Sequence, residues 1–213
     1  GKLERTHGGA VFSENKTTTE AKVKSREVIQ TQEKIEIAQL AFDLLEEHDS
    51  IILDAGTTTL ELARLIGQSD LNLTIITNST IAFTALAENE NAELIMLGGK
   101  VRSNTLATVG SFAEDMLKRF HVDKVFLGTN GVTLDTGLST AEMDEASIKR
   151  TMLSSAKKRI ILADHSKFNK VYMNQIAPLS MADILITDAQ TDYELLNAII
   201  RDYEIEVLKG FSV

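Results

Sequence analysis

The chain has 213 residues, 43% hydrophobic and 25% charged, the balance of a soluble globular protein with apolar material for one large domain. It has no cysteine, which excludes disulfides, thiolate zinc sites and cysteine nucleophiles. Its 31 acidic against 22 basic side chains, a net charge of -9, oppose the basic footprint that DNA backbone contact requires, so the chain is not expected to bind DNA by itself.

Residues 1–30 stand apart from the rest. Apart from Ala10-Val11-Phe12 they are polar and charged without a sustained apolar period, and they read as an arm leading into a domain over 31–213. Gly1-Lys2-Leu3-Glu4-Arg5 has no signal-peptide core, and no apolar run approaches the ~18 residues of a membrane span. A cytoplasmic location and no membrane partner are therefore expected. From Thr31, Ile37, Ala38, Ala41, Leu44 and Leu45 fall at helical spacing with acidic residues on the other face, which predicts a helix ending near His48.

Seven short apolar runs follow, over 51–53, 73–76, 94–97, 125–127, 160–163, 184–186 and 205–208. They are rich in Ile, Leu and Val without alternation, as strands buried on both faces of a parallel sheet are. Helical stretches at 60–66, 80–87, 112–120, 141–156 and 193–203 separate most of them. The fold class is α/β, a mainly parallel sheet with helices on both faces, joined by right-handed crossovers. The single proline, Pro178, falls in a loop.

In such sheets ligands bind beyond the carboxyl ends of the strands. The first strand ends in Asp54-Ala55-Gly56-Thr57-Thr58-Thr59, where glycine permits close approach and a helix start offers free N–H groups and a positive dipole end. The loop reads equally as a phosphate cradle and as a helix capped by Thr57 or Thr58. It is neither a Walker loop nor G-x-G-x-x-G, so no nucleotide cofactor is implied. Thr77-Asn78-Ser79, Gly98-Gly99-Lys100 and Gly128-Thr129-Asn130-Gly131 end the next three strands. Each alone reads as a turn; converging on one sheet edge, they favour a polar small-molecule pocket.

Glu142, Glu145 and Lys149 share a helix face by spacing, which by itself reads as a solvated ion pair. Asp164-His165-Ser166-Lys167 brings a cation and donors to a further strand end; a lone loop lysine is ordinarily just exposed. The four histidines, His7, His48, His121 and His165, are too scattered for a metal site, and His165 as a general base would need an orienting partner that the sequence does not identify.

The segments Asp54-Ala55-Gly56-Thr57-Thr58, Thr77-Asn78-Ser79, Leu97-Gly98-Gly99, Gly128-Thr129-Asn130-Gly131, Met143-Asp144-Glu145-Ala146 and Asp164-His165-Ser166-Lys167-Phe168, in that order, resemble the effector-binding domain of DeoR-type transcriptional repressors. The resemblance runs from about Arg5 to the C-terminus, and Arg5-Thr6-His7-Gly8-Gly9-Ala10 is similar to the tail of that family's winged helix-turn-helix. It implies a bacterial regulator of sugar metabolism. The expected effector is a phosphorylated sugar or sugar alcohol, held on the strand-end motifs with Lys167 as cation. The expected assembly is a homo-oligomer, a dimer or a tetramer. It also implies that 1–30 is the linker of a winged helix-turn-helix domain absent from this chain, through which alone DNA would be bound, and that 31–213 is the sensing domain.

The family's sensor fold is similar to that of ribose-5-phosphate isomerase, glucosamine-phosphate deaminase and CoA-transferase-like proteins. A sugar-phosphate isomerase or deaminase is thus the rival reading, kept open by Glu145, Lys149 and Lys167. Aldose–ketose isomerisation needs a general base and a polariser of the enediolate. Where the isomerase has carboxylates this chain has Leu127-Gly128-Thr129-Asn130-Gly131, and Ser139-Thr140 replaces its Lys-Gly segment. Asn130 cannot accept a proton as a carboxylate can, so a pocket without catalysis is expected.

Overall fold

The computed structural model describes the backbone of Leu3–Thr6 and Gly9–Phe12 and all of residues 17–211. In chain order the elements are β1 (Leu3–Thr6), β2 (Gly9–Phe12), α1 (Val23–Glu27), α2 (Thr31–Phe42), β3 (Ser50–Leu53), α3 (Thr57–Gly67), β4 (Leu73–Thr77), α4 (Thr80–Leu86) and β5 (Ala92–Met96). Next come β6 (Lys100–Arg102), β7 (Ala107–Val109), α5 (Ser111–Leu117), β8 (Val122–Gly128), β9 (Gly131–Thr133), β10 (Gly137–Thr140) and α6 (Met143–Ser154). The last are β11 (Ala156–Leu162), β12 (Asn174–Ala177), β13 (Ile184–Thr187), α7 (Tyr193–Tyr203) and β14 (Glu206–Lys209). Among the described residues no helix is long and apolar enough to cross a membrane.

All seven apolar runs became strands of one parallel sheet, ordered β14-β13-β11-β8-β3-β4-β5. Neighbouring residues on a strand feed opposite cores, which is why no polar alternation is visible. Ile51, Leu53, Phe126 and Ile160 pack with Ile37, Leu62 and Leu86 from α2, α3 and α4. Ile52, Val125, Leu127 and Ile161 pack with Leu117, Ile148 and Ile199 from α5, α6 and α7. The chain winds outward from β3 through β4 to β5, then returns to the other side of β3 with β8. Since parallel crossovers keep one hand, this reversal sends the later helices to the opposite face and opens a crevice between the β3 and β8 ends.

Two antiparallel insertions accompany the parallel sheet: the β6–β7 hairpin, and a three-stranded sheet ordered β12-β10-β9. Both consist of strands of three or four residues, too short for a period to register in the sequence. The helix from Thr31 stops at Phe42 rather than near His48. Leu44 and Leu45 donate to Ala41 and Phe42 in a tightening turn, and His48 takes a positive φ of 68° to send the chain into β3. The polar arm also has structure: β1 pairs with β2, and α1 occupies Val23–Glu27. Within the wing-like motif, His7 and Gly8 lie outside the described residues.

Candidate functional site

The crevice floor is an ion pair. Asp54, following β3, is 1% exposed and its Oδ2 accepts a hydrogen bond from Lys149 Nζ and one from Gly128 N at 3.0 Å; Lys149, on α6, is 4% exposed and also donates to Gly128 O at 2.9 Å. Burial pushes the Asp54 carboxyl above its usual range, and the Lys149 ammonium pulls the other way. One carboxylate and one ammonium thus stitch β3, β8 and α6 together where the winding reverses.

Above this floor begins α3. Its N-cap is Gly56, with extended backbone and no capping side chain, so Thr57 and Thr58 are not the cap. The N–H groups of the first helical turn find no carbonyl within the helix, and together with the dipole they form a ready anion site. The Thr59 hydroxyl turns back to Asp54 O at 2.7 Å and Gly56 O at 3.0 Å, fixing the loop, while the Thr57 and Thr58 side chains line the crevice. Lys167 faces the same space from a short 3-10 turn, His165–Lys167, that Asp164 caps through Ser166 N at 3.0 Å.

Residues 17–30 cross the mouth as a strap. Thr17 O accepts from Met173 N at 3.1 Å, and Val23 N donates to Asn104 O at 2.7 Å in the β6–β7 turn. Gln30 Nε2 lies 3.2 Å from His165 Nε2, whose other ring nitrogen is 3.0 Å from Asp188 Oδ1. Lys34, 3% exposed on α2, donates to the carbonyls of Arg26 and Ile29 and so holds the end of α1. Burial, reinforced by the neighbouring Lys167, lowers its pKa to about 8. Glu20, Arg26, Gln30 and Lys34 all line the crevice.

Gly56, Thr57, Thr58, Gly128, Asn130, Glu145, Lys149, Asp164 and Lys167 therefore converge, with Asp54 and Thr59 supporting them from beneath. Glu145 and Lys149 are not the solvated pair that their spacing suggests. Both are buried and use other partners: Glu145 bonds Arg102 and Thr105, the latter at 2.8 Å, while Glu142 is half-exposed and reaches Arg102 at 3.1 Å.

The second and third strand ends point elsewhere. Thr77 donates to Leu53 O, Asn78 to Thr108 O, and Ser79 caps α4 by accepting from Ala82 N at 3.2 Å, all three being buried structural contacts. Gly98 and Gly99 lie in the exposed turn before β6; Gly99 has a φ of 146° and packs under Val109 O. Gly131 packs under Lys170 O. Sequence reading missed the strap residues and Arg102, because their positions depend on a long return of the chain that leaves no local period.

The family model for the DeoR C terminal sensor domain matches residues 29–189. The putative aga operon transcriptional repressor of Escherichia coli O157:H7 is 33% identical over 205 residues, covering 96% of this chain and 76% of that protein. The lactose phosphotransferase system repressor of Lactococcus lactis subsp. lactis is 35% identical over 191 residues, covering 89% of this chain and 74% of that protein. Among solved structures, a chain of the tetrameric eIF2B-beta2-delta2 complex from C. thermophilum shares the fold, with a TM-score of 0.51 at 16% identity over 81% of this chain and 61% of that chain. Ribose 5-phosphate isomerase A from Methanocaldococcus jannaschii has a TM-score of 0.49 at 20% identity over 65% of this chain and 55% of that chain. With a match to most of the domain and a third of its residues shared with named repressors, the chain belongs to the DeoR family of transcriptional regulators and carries its C-terminal sensor domain.

Proposed function

We propose that this domain binds a phosphorylated sugar or sugar alcohol in the crevice between β3 and β8, and that occupancy modulates DNA binding by a winged helix-turn-helix domain joined to residues 1–30, in a bacterial homo-oligomer. The carrying observation is the uncapped start of α3 sharing one crevice with Lys167 and Lys34. Free N–H groups and flanking cations together suit a phosphate, and charge-assisted bonds are among the stronger polar contacts. The Lactococcus relative is named as the repressor of a lactose phosphotransferase system, which supports a sugar effector. Catalysis is disfavoured because Glu145 is engaged by Arg102 and Thr105, and Lys149 by Asp54 and Gly128 O, which leaves neither free to move a substrate proton.

Thermal shift against glycerol 3-phosphate, ribose 5-phosphate and fructose 6-phosphate, each beside its unphosphorylated form, tests this reading. A ligand at ~100 times its Kd stabilises by about 2.7 kcal/mol. At about 2 to 4 °C per kcal/mol for a chain of this length, the midpoint rises by roughly 5 to 10 °C. Thr57→Ala with Thr58→Ala reduces that shift and leaves the unliganded midpoint within a few degrees, since neither hydroxyl caps α3. Equal shifts with the unphosphorylated forms, or a full shift in the double variant, would falsify the phosphate placement.

The buried lysine gives the same site a pH signature. Below about 8 Lys34 carries its proton and adds a positive charge beside Lys167; above it the charge is lost. Affinity for the phosphorylated ligand is expected to be level between pH 7 and 8 and then to fall, by at most about tenfold per pH unit for one linked proton. Calorimetric titration checks this, and Lys34→Met should remove the dependence along with much of the affinity. A level affinity up to pH 9.5 in the wild type would place Lys34 outside the anion's reach.

A further inference from the structure

Glu20 sits on the strap with its side chain 3% exposed, and it lines the crevice at both the outer mouth and the inner floor. Its two oxygens are not equivalent. Oε1 accepts from Arg26 Nη1 at 2.9 Å and from Asn130 Nδ2 at 3.0 Å. Oε2 is buried without any hydrogen-bond donor, the nearest cation being Arg102 Nη1 at 3.8 Å. A buried carboxylate oxygen left without a donor is costly, and such groups are normally satisfied. Glu20 itself lines an open ligand crevice, from which a donor can be supplied.

Asn130 cannot supply the complementary contact, because its Oδ1 is already taken by Thr140 Oγ1 at 2.9 Å and its Nδ2 by Glu20. Its place is to position Glu20. Of the other carboxylates lining the crevice, Glu145 is engaged by Arg102 and Thr105, and Asp164 holds Ser166 through Oδ1 with Lys167 Nζ 3.7 Å from its Oδ2. Arg26 already offsets the charge of Glu20, so the site calls for an uncharged donor rather than a second cation, and a phosphate beside this carboxylate would be repelled. The ligand is thereby oriented, with its phosphate on the α3 start near Lys167 and its hydroxyl-bearing end toward the strap.

Resting on the phosphate reading above, we propose that Glu20 is the specificity-determining residue of the crevice, accepting a hydrogen bond from a ligand hydroxyl on Oε2 and so tying the strap over 17–30 to the occupied site. A binding site built to pair with a hydroxyl discriminates strongly against ligands that lack it, because its own polar group is otherwise left unpaired. The strap leads directly from the residues N-terminal to the domain, so the residue that reads the ligand lies on the segment that would carry the signal outward.

Calorimetry with inorganic phosphate, glycerol 3-phosphate, ribose 5-phosphate and fructose 6-phosphate, on wild type, Glu20→Gln and Glu20→Ala, tests the proposal. The ratio of affinity for the tightest organic phosphate to that for inorganic phosphate is expected to fall at least tenfold in Glu20→Ala and less in Glu20→Gln, whose amide keeps polar atoms in place. Hydrogen exchange on the wild type needs no variant: the tightest organic phosphate should protect amides of 17–30 beyond the protection given by saturating inorganic phosphate. An unchanged ratio, or equal protection by the two, overturns the role of Glu20 and leaves the phosphate reading standing. If no organic phosphate binds the wild type more tightly than inorganic phosphate does, both readings fall together.

Discussion

Replacing Lys149 with Met is expected to cost about 3 to 5 kcal/mol, because it leaves the Asp54 carboxylate buried and unpaired at the centre of the sheet. At about 2 to 4 °C per kcal/mol, the unliganded midpoint falls by roughly 6 to 20 °C. Asp54→Asn added to Lys149→Met should restore more than half of the loss, since the amide oxygen still accepts from Gly128 N and no charge remains to be buried. The pH dependence has a definite sign. The folded-state pKa of Asp54 is already raised by burial, and without Lys149 it rises further. The folded variant then binds a proton more readily than the unfolded chain, so the deficit against wild type is full above the raised pKa and shrinks as pH falls through it. Thermal denaturation of the three proteins at pH 7 and pH 5 measures both effects. A single variant that melts with wild type at pH 7 would show that the pair contributes nothing to the floor of the crevice.

Gly131→Ala is expected to be nearly as damaging for a different reason. A Cβ there would lie 2.3 Å from Lys170 O, 2.9 Å from Lys170 C and 2.7 Å from Ser139 Oγ, and two of these three atoms are backbone. Overpacking of this kind costs typically about 1 to 3 kcal/mol or more, a midpoint loss of roughly 2 to 12 °C. The strain is relieved by moving the segment that carries Lys170 and Tyr172, which lines the crevice, so ligand response should weaken together with stability. Gly98→Ala is the internal control. Its Cβ would meet nothing within 4 Å, and its stability should stay within about 0.5 kcal/mol of wild type, a midpoint change of about 2 °C at most. Parallel melting of Gly131→Ala and Gly98→Ala would sink the close-packing account.

The same two glycines show how much of the site was legible in advance. Both were expected at a ligand because both follow a strand, and at that level the sequence reads well: a glycine after an apolar run marks a turn at the sheet edge. What the turn is for depends on which strands become neighbours. Asp54 and Gly128 are 74 residues apart in sequence, and they meet because the winding reverses between β3 and β8. Thr77, Asn78 and Ser79 sit on the far side of that reversal, where the β6–β7 hairpin covers them and the Thr77 and Ser79 hydroxyls and Asn78 Nδ2 serve the backbone. The spacing of Glu145 and Lys149 likewise put them correctly on one helix face but could not tell that this face looks into the protein.

By itself the sequence determined the α/β class, all seven parallel strands, the position of the Gly-Thr loop at a strand end and the family. Each of these is written in local patterns: apolar runs buried on both faces, helical periods between them, and motifs of three to six adjacent residues. Only the tertiary structure decided that a polar arm folds back as a strap, that Glu20 enters the crevice from it and Lys34 from α2, and that Asp54 pairs with Lys149 across 95 residues. Such contacts join groups whose partners are distant in the chain, and the burial that makes them consequential exists only once the sheet has closed around them.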